Sequence, residues 1–348
     1  MDKLFISDLK ENEKADSIFL VKNKSLLKGK TGKDYISLKL SDKTGDIKAN
    51  IWDNTQKFAN IFEPGDFIKI KSRTSVFQNE LQLNITDAEK IDITGSDLCL
   101  FLKSSKFNID DMFSELCAIL RENINDKYIG ELIELFLNDE KYTDKLKSLP
   151  AAKSIHHAYI GGLLEHTLSI VKAGLLMSIH YKDSVNKDIM LAGCFLHDAG
   201  KIQELKFNKN ITEYSDEGRL MGHIVLGVNS ISNKIDSISG FPENMKILIL
   251  HSVIAHHGEL EFGSPKRPKT IEAVILHFID NMDAKVNQFE GLAEETAKLS
   301  SWSNYSKHLD RYILNSKSYL KNYDDNNNSD KLSDKLNTGI NFNEDLSC

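Results

Sequence analysis

The stretch Phe195-Leu196-His197-Asp198-Ala199-Gly200-Lys201 predicts how the chain is organised. It closes an apolar run, residues 189–196, that is typical of a buried helix. Neighbouring side chains point about 100° apart around a helix axis, so His197 and Asp198 reach one ion only if that ion lies at the helix end. The pair therefore indicates a metal at a helix terminus, or, taken alone, a surface or capping feature.

Further histidine motifs lie on both sides of this pair. They are Gly161-Gly162-Leu163-Leu164-Glu165-His166-Thr167, Gly222-His223-Ile224, Ala255-His256-His257-Gly258 and His277-Phe278-Ile279-Asp280-Asn281-Met282-Asp283. Most of the 11 histidines fall between His156 and His277. An unpaired imidazole in an apolar helix is costly, so a common partner explains these histidines together. No cysteine lies among them, which disfavours a closed structural zinc site.

The order His, His-Asp, His, His-His, Asp resembles the HD-domain metallophosphohydrolases over about residues 150–290. By that resemblance, one divalent ion is held by His166, His197, Asp198 and Asp280. A second ion is held by His223 and His256, with Asp198 as the bridge. The resemblance implies an all-α domain in which two ions clamp the attacking and leaving oxygens of a phosphodiester.

Three more residues are candidates for catalytic contacts. Lys201, one turn after Asp198, and Arg219 suit a phosphate, because charge develops on phosphoryl oxygens during the reaction. Either one also suits a solvated helix-end cation. His257 is interpreted as an outer contact to the site or to substrate. Asp283 lies one turn after Asp280 and has an ordinary surface acid as its alternative interpretation.

Composition and charge describe an ordinary soluble chain. Its 348 residues are 41% hydrophobic and 27% charged, with a net charge of −7. No apolar run approaches ~18 residues, and the N-terminus lacks signal-peptide architecture. We therefore expect a cytoplasmic protein without a membrane partner. The four scattered cysteines, without a CxxC spacing, disfavour a zinc ribbon or a disulfide framework.

Residues 1–95 have a period near two and turn signals that predict five strands with a short helix after the third. This is the order of an OB-fold, a small five-stranded β-barrel. Residues 35–53 resemble the anticodon-binding type of OB module. If that resemblance holds, the contacts to nucleic acid are Tyr35, Lys48, Trp52, Lys30 and Lys33. Ordinary core packing of the aromatics, or a merely solvated lysine loop, is the alternative.

We expect four segments: an OB-fold at residues 1–95, a helical connector at 96–150, the HD domain at 151–315, and a polar, disordered tail at 316–348. This arrangement resembles the YhaM-type 3′→5′ exoribonucleases. The resemblance implies Mn²⁺-dependent hydrolysis of single-stranded RNA from its 3′ end to nucleoside 5′-monophosphates, with single-stranded DNA as an additional substrate. A homo-oligomer is one option for the assembly.

Two other functions fit the same sequence. In the first, the HD domain hydrolyses a small nucleotide, such as a cyclic dinucleotide or a nucleoside triphosphate, and the OB-fold is regulatory. The cyclic-dinucleotide class usually carries a GYP motif, where this chain has Gly263-Ser264-Pro265. In the second, the protein binds RNA without catalysis and its metal is structural.

Overall fold

The computed structural model describes residues 3–29, 32–78, 80–152, 157–208, 210–296, 301–306 and 309–321. The chain divides into two compact units, residues 1–284 and residues 285–348. The first unit contains the barrel and the histidine-bearing helices. Two residues from the sequence analysis, Lys30 and His156, lie outside the described residues.

The N-terminal part of the first unit is a closed five-stranded barrel with strand order β1-β2-β3-β5-β4. Its strands are β1 (Ser17–Lys28), β2 (Asp34–Asp42), β3 (Gly45–Ile51), β4 (Phe67–Phe77) and β5 (Glu80–Ile91), with helix α1 (Thr55–Phe58) after β3. Alternate apolar residues such as Phe19, Ile36 and Leu83 fill the barrel. The predicted OB-fold, five strands with a short helix after the third, is confirmed.

Three helices follow the barrel: α2 (Ile109–Asn123), α3 (Lys127–Leu137) and α4 (Glu140–Ser148). The side chains of Asn108, Asp126 and Asp139 cap their N-termini. Leu132 and Phe136 belong to the same buried cluster as residues of the histidine-bearing helices. The segment predicted as a connector is therefore continuous with the core of the helical region.

The histidine-bearing helices are α5 (Gly162–His180), α6 (Lys187–Leu196), α7 (Lys201–Glu204), α8 (Asp216–Asp236), α9 (Glu243–Ala255) and α10 (Ile271–Thr296). Between α7 and α8 lies an antiparallel hairpin, β6 (Leu205–Asn208) and β7 (Ile211–Tyr214), which the sequence analysis missed. The region is helical as predicted, with this hairpin as an addition to an expected all-α domain.

The hairpin also contacts the barrel. Ile211 packs against a small apolar cluster that includes Ile18, Phe67 and Phe101. The Asn210 side chain donates a hydrogen bond to the carbonyl oxygen of Gly65 at 3.2 Å. The connection between α7 and α8 is therefore held against the barrel.

One described helix, α5, is long and apolar enough to cross a membrane by length and composition alone. However, 56% of its most apolar window is buried inside the protein, and residues such as Leu164 and Ile170 belong to the helical core. The apolar character of α5 is therefore that of a core helix.

In the second unit, short backbone pairs join residues 301–306 to 311–315, including the bond from Ser303 N to Ile313 O at 2.8 Å. The segment predicted as a disordered tail starts with helical residues 316–321. Residues 322–348 lie outside the described residues.

Candidate metal centre and nucleic-acid face

The six predicted metal ligands come from five helices and meet in one place. His197 ends α6 and Asp198 follows it, as expected for a metal at a helix terminus. His166 comes from α5, and His256 ends α9. The remaining two ligands, on α8 and α10, are His223 and Asp280. The described structure therefore brings together every ligand proposed from sequence.

Four of these residues form the first half of the site. His166 Nε2 lies 3.2 Å from both His197 Nε2 and Asp280 Oδ1, and 3.6 Å from Asp198 Oδ2. His197 Nε2 lies 3.3 Å from Asp198 Oδ2. Donors at right angles around an ion with bonds of ~2.1 Å lie ~3 Å apart. The four donor atoms therefore have the spacing of a coordination shell.

The second half of the site lies on the other oxygen of Asp198. Asp198 Oδ1 is 3.6 Å from His223 Nε2 and 3.9 Å from His256 Nε2. A ring nitrogen of His257 belongs to the same group, because the donor atoms of His223, His256 and His257 lie within 4.8 Å of one another. Asp198 therefore lies between two groups of candidate metal ligands, and the second group includes His257.

Unsatisfied polar atoms support a cation in this second half. Among the described side chains, the buried atoms without a hydrogen-bond partner are Glu165 Oε2, Asp198 Oδ1, His223 Nε2 and His256 Nε2. Leaving such an atom unpaired costs about 1–3 kcal/mol. Three of these four atoms face one another, so one cation satisfies them together.

Hydrogen bonds at Nδ1 set the orientation of all five histidines. Each Nδ1 lies against an oxygen that can only accept, so it carries the proton: His166 to Asp283 Oδ2 (2.7 Å), His197 to Cys194 O (2.8 Å), His223 to Glu204 Oε1 (3.2 Å), His256 to Val253 O (2.7 Å) and His257 to Phe262 O (2.9 Å). In a neutral imidazole the other nitrogen is then a lone-pair donor. Each Nε2 that faces the cluster can therefore bind metal, but His166 must first lose a proton from Nε2, because hydrogen bonds with Asp280 and Asp283 outweigh burial and raise its pKa to about 9.

Two carboxylates behind the histidines are part of this arrangement. Asp283 Oδ2 accepts from His166 and also from His157 Nε2 at 3.0 Å, so Asp283 is no ordinary surface acid. Glu204 holds His223, and the sequence analysis missed it. Carboxylates in this position fix the tautomer and raise the basicity of a metal-bound histidine. Helix α7 has only four residues, Lys201–Glu204, so it offers no periodic pattern from which Glu204 could be found.

The charge state of the cluster suits a divalent cation. Burial alone would raise the pKa of Asp198, but Lys201 and His197 hold it well below its ordinary value. Burial would also raise the pKa of Asp280, but the hydrogen bond from His166 outweighs burial and lowers it. Burial and the nearby His197 lower the pKa of His256 well below 6.5. Both carboxylates are therefore ionised and His256 is neutral near pH 7.

The candidate phosphate contacts lie in different surroundings. Lys201 is almost fully buried, and its Nζ is 2.7 Å from Asp198 Oδ2. Arg219 is exposed near the start of α8, and no ion pair or side-chain hydrogen bond between described residues involves it. Lys201 is thus inside the cluster, whereas the structure places Arg219 on the surface.

Two glycines allow α8 to approach the cluster. A Cβ on Gly200 would lie 1.9 Å from the carbonyl oxygen of His223, so only glycine lets the start of α7 contact α8 here. Gly222 interrupts α8 with φ 74° and ψ 160°, a backbone region essentially restricted to glycine. The kink comes one residue before His223, whose backbone N–H donates to Glu204 Oε1 at 2.9 Å.

Comparison with known proteins covers both parts of the first unit. The HD domain model matches residues 163–285, and the OB-fold nucleic acid binding domain model matches residues 20–91. The 3′-5′ exoribonuclease YhaM of Geobacillus sp. (strain WCH70) is 32% identical over 287 residues, which are 81% of this chain and 86% of that protein. The chain belongs to the YhaM family of 3′-5′ exoribonucleases.

Solved structures resemble this YhaM family member over the barrel. The second OB-fold domain of replication protein A from Methanococcus maripaludis is 21% identical, with 27% of this chain and 99% of that chain covered and a TM-score of 0.22. The Pot1pC structure from Schizosaccharomyces pombe, bound to single-stranded DNA, is 14% identical, with 28% and 92% covered and a TM-score of 0.25.

Four of the five candidate nucleic-acid contacts lie among the described residues of the barrel in this YhaM family member. Tyr35 and Trp52 stack on each other, with ring centroids 4.5 Å apart and an interplanar angle of 20°. Trp52 remains 45% exposed and donates from Nε1 to Asn84 Oδ1 at 3.1 Å. Lys33 pairs with Asp53 at 2.7 Å, and Lys48 pairs with Glu80. The two aromatics thus form a single platform, and both lysines have carboxylate partners.

Proposed function

We propose that the chain hydrolyses single-stranded RNA from its 3′ end and releases nucleoside 5′-monophosphates at the histidine and aspartate cluster. The main support is that Nε2 of four histidines lies within 3.9 Å of an Asp198 oxygen: His166, His197, His223 and His256. Membership in the YhaM family supports this function over hydrolysis of a small nucleotide, because the relative is a 3′-5′ exoribonuclease. We assign the activity to the cytoplasm, with single-stranded DNA as an additional substrate.

The residues present fit two divalent ions, and we propose Mn²⁺ as the native metal. His166, His197, Asp198 and Asp280 would hold the first ion. The second would be held by Asp198, His223 and His256, with His257 as a further ligand. Bound ions of this kind supply hydroxide near neutral pH and neutralise the phosphodiester oxygens. Histidine and carboxylate donors without cysteine suit Mn²⁺.

Side chains of the protein would position the ions and the RNA for the reaction. Asp198 bridges the two halves, so its position determines their separation. Lys201 Nζ lies 2.7 Å from Asp198 Oδ2, and we assign Lys201 a phosphate contact. Arg219 is exposed near the kink in α8, and we assign it a contact to the next phosphate along the strand. We assign binding of the 5′ part of the RNA to the barrel, where bases would stack on Tyr35 and Trp52.

The test uses purified full-length protein, Mn²⁺ and a 5′-labelled single-stranded RNA, with a panel of small nucleotides run in parallel. We expect a ladder that shortens from the 3′ end with 5′-monophosphates as products. His166→Ala and Asp198→Ala should each lower the rate by at least about 100-fold. His180→Ala is the matched control, because His180 is an exposed histidine on the same helix. Intact RNA beside a hydrolysed small nucleotide would contradict the proposal.

A further inference from the structure

The outer face of the barrel has an organisation that the family assignment does not provide. Strand register places outward side chains in rows that cross the sheet: Tyr35 lies next to Trp52, and Asn50 pairs with both Ser37 and Asn84. One row further on, Lys48 pairs with Lys39 and Gln82. The register therefore joins β2, β3 and β5 into one continuous surface.

Side-chain amides and hydroxyls in the middle of this surface are linked to one another. Asn50 donates to Gln82 Oε1 at 3.2 Å, and Asn84 donates to Ser75 Oγ at 2.8 Å. Gln82 also donates to Ser75 Oγ at 3.3 Å. Amides of this kind present both donors and acceptors, which is what the edges of unpaired bases require.

Aromatic side chains lie at both ends of the amide group formed by Asn50, Gln82 and Asn84. At one end is the Tyr35 and Trp52 stack. At the other end is Phe77, the last residue of β4, which faces Glu80 across the hairpin and is 61% exposed. The two ends are separated by about three two-residue steps of the sheet, or ~20 Å.

Three lysines of this face have carboxylate partners, whereas the exposed Arg73, in register with Asn84, forms no ion pair with a described residue. Lys39 pairs with Asp46 at 2.9 Å, Lys33 pairs with Asp53 at 2.7 Å, and Lys48 pairs with Glu80. A phosphate that approaches any of the three lysines also approaches a carboxylate. An open groove of about 680 Å³ is lined in part by Ser25, Ser37, Lys39, Lys48 and Glu80, so the face has space for a polar ligand.

From this arrangement we infer that Phe77 is a second base-stacking platform, and that the barrel holds single-stranded RNA by stacking at both ends of the Asn50, Gln82 and Asn84 amide group rather than through its lysines. This inference rests on the proposed function and adds to it how the RNA is held. Removing a stacked aromatic costs about 1–3 kcal/mol per base. Neutralised lysines contribute little counterion release, which otherwise dominates binding to a single strand.

The experiment compares Phe77→Ala with Phe107→Ala in the full-length enzyme. Phe107 is the matched control, because it is 63% exposed and lies outside the barrel strands. KM and kcat are measured on a single-stranded 20-nucleotide RNA and on the dinucleotide UpU, which is too short to cross the face. For Phe77→Ala we expect a rise in KM for the 20-mer of about 10-fold, with kcat and UpU hydrolysis unchanged. Phe107→Ala should match the wild type.

A third variant, Lys48→Met, keeps the aliphatic stem and removes the charge. We expect it to change KM for the 20-mer by less than about three-fold, a smaller effect than Phe77→Ala. Equal KM values for Phe77→Ala and Phe107→Ala, or a larger effect of Lys48→Met, would overturn the inference. A wild-type enzyme that hydrolyses neither RNA would instead contradict the proposed function, so the two failures are distinguishable.

Discussion

Glu204 Oε1 accepts two hydrogen bonds from His223, one from the backbone N–H at 2.9 Å and one from Nδ1 at 3.2 Å. Both bonds are possible because Gly222 interrupts α8 directly before His223. Glu204 is itself the last residue of α7, so a single carboxylate connects the two helices that flank the β6–β7 hairpin. His223 Nε2 is thereby directed at Asp198 Oδ1.

We expect Glu204→Ala to weaken the second ion selectively. Without the carboxylate, the His223 ring is free to rotate and to change tautomer, and losses at such outer positions are about 10–100-fold in metal affinity. Titration calorimetry with Mn²⁺ should show one unchanged and one weakened site. Glu217→Ala, an exposed acid in the first turn of α8, is the control. Two equally weakened sites would mean that Glu204 stabilises the whole cluster.

Asp283→Ala should have the converse effect. Asp283 Oδ2 accepts from His166 Nδ1 at 2.7 Å and from His157 Nε2 at 3.0 Å, and its Oδ1 accepts from Ser169. His166 belongs to the first half of the site, so we expect the first ion to be weakened by about 10–100-fold. A metal titration in which Asp283→Ala and Glu204→Ala affect the same ion would refute this division.

The ligands were predictable from sequence because each stands in a local motif and their order matches the HD-domain pattern. Glu204 and Asp283 were not assigned their roles, because each acts through contacts across the fold with a histidine 19 or 117 positions away. The same reason applies to the barrel. Stacking of Tyr35 on Trp52 follows from the pairing register of β2 and β3, which the alternating pattern alone does not set.

The β6–β7 hairpin shows where sequence periodicity fails. Each strand has only four residues, and the turn contains Asn210 in the left-handed region, with φ 66°, instead of a glycine that would mark it. Runs of four residues give too few repeats to establish a period of two. The hairpin is nevertheless the element that contacts the barrel through Ile211.

Metal binding should release a proton and strengthen with pH. Burial lowers the pKa of His166, but hydrogen bonds with Asp280 and Asp283 outweigh it and raise the pKa to about 9 in the metal-free protein. A metal must displace that proton, so the Kd for Mn²⁺ should fall roughly ten-fold per pH unit between pH 7 and 8.5. Calorimetry in buffers of different ionisation enthalpy measures the released proton directly. A Kd that stays constant over this range would exclude His166 as the titrating ligand.

The raised pKa of His166 has the opposite effect on the stability of the metal-free protein, which should fall as the pH rises. A raised histidine pKa contributes stability that is fully present below its unfolded value of 6.5 and is lost as the pH rises through about 9. We therefore expect the Tm of the metal-free protein to fall between pH 6.5 and 9. Thermal melts in the presence of a chelator test this. His180→Ala, which leaves the cluster intact, should show the same fall, whereas His166→Ala should reduce it.

A comparison of Gly222→Ala with Gly130→Ala distinguishes the effect of backbone strain on stability from the effect of steric crowding. A Cβ at either position would meet no atom within 4 Å. Gly130 has helical dihedral angles inside α3, so alanine there should stabilise the protein by about 0.4–1 kcal/mol. Gly222 requires φ 74° and ψ 160°, where a side chain costs about 1–3 kcal/mol. Chemical denaturation should therefore give opposite signs for the two variants.

The protein can relieve the strain at Gly222→Ala by straightening α8, which moves His223 away from Glu204 and Asp198. We therefore expect this variant to lose Mn²⁺ from the second half of the site and, with it, most of the RNA hydrolysis. Gly130→Ala should retain both. A Gly222→Ala enzyme with normal metal binding would show that the kink in α8 is not what directs His223 at the bridging carboxylate.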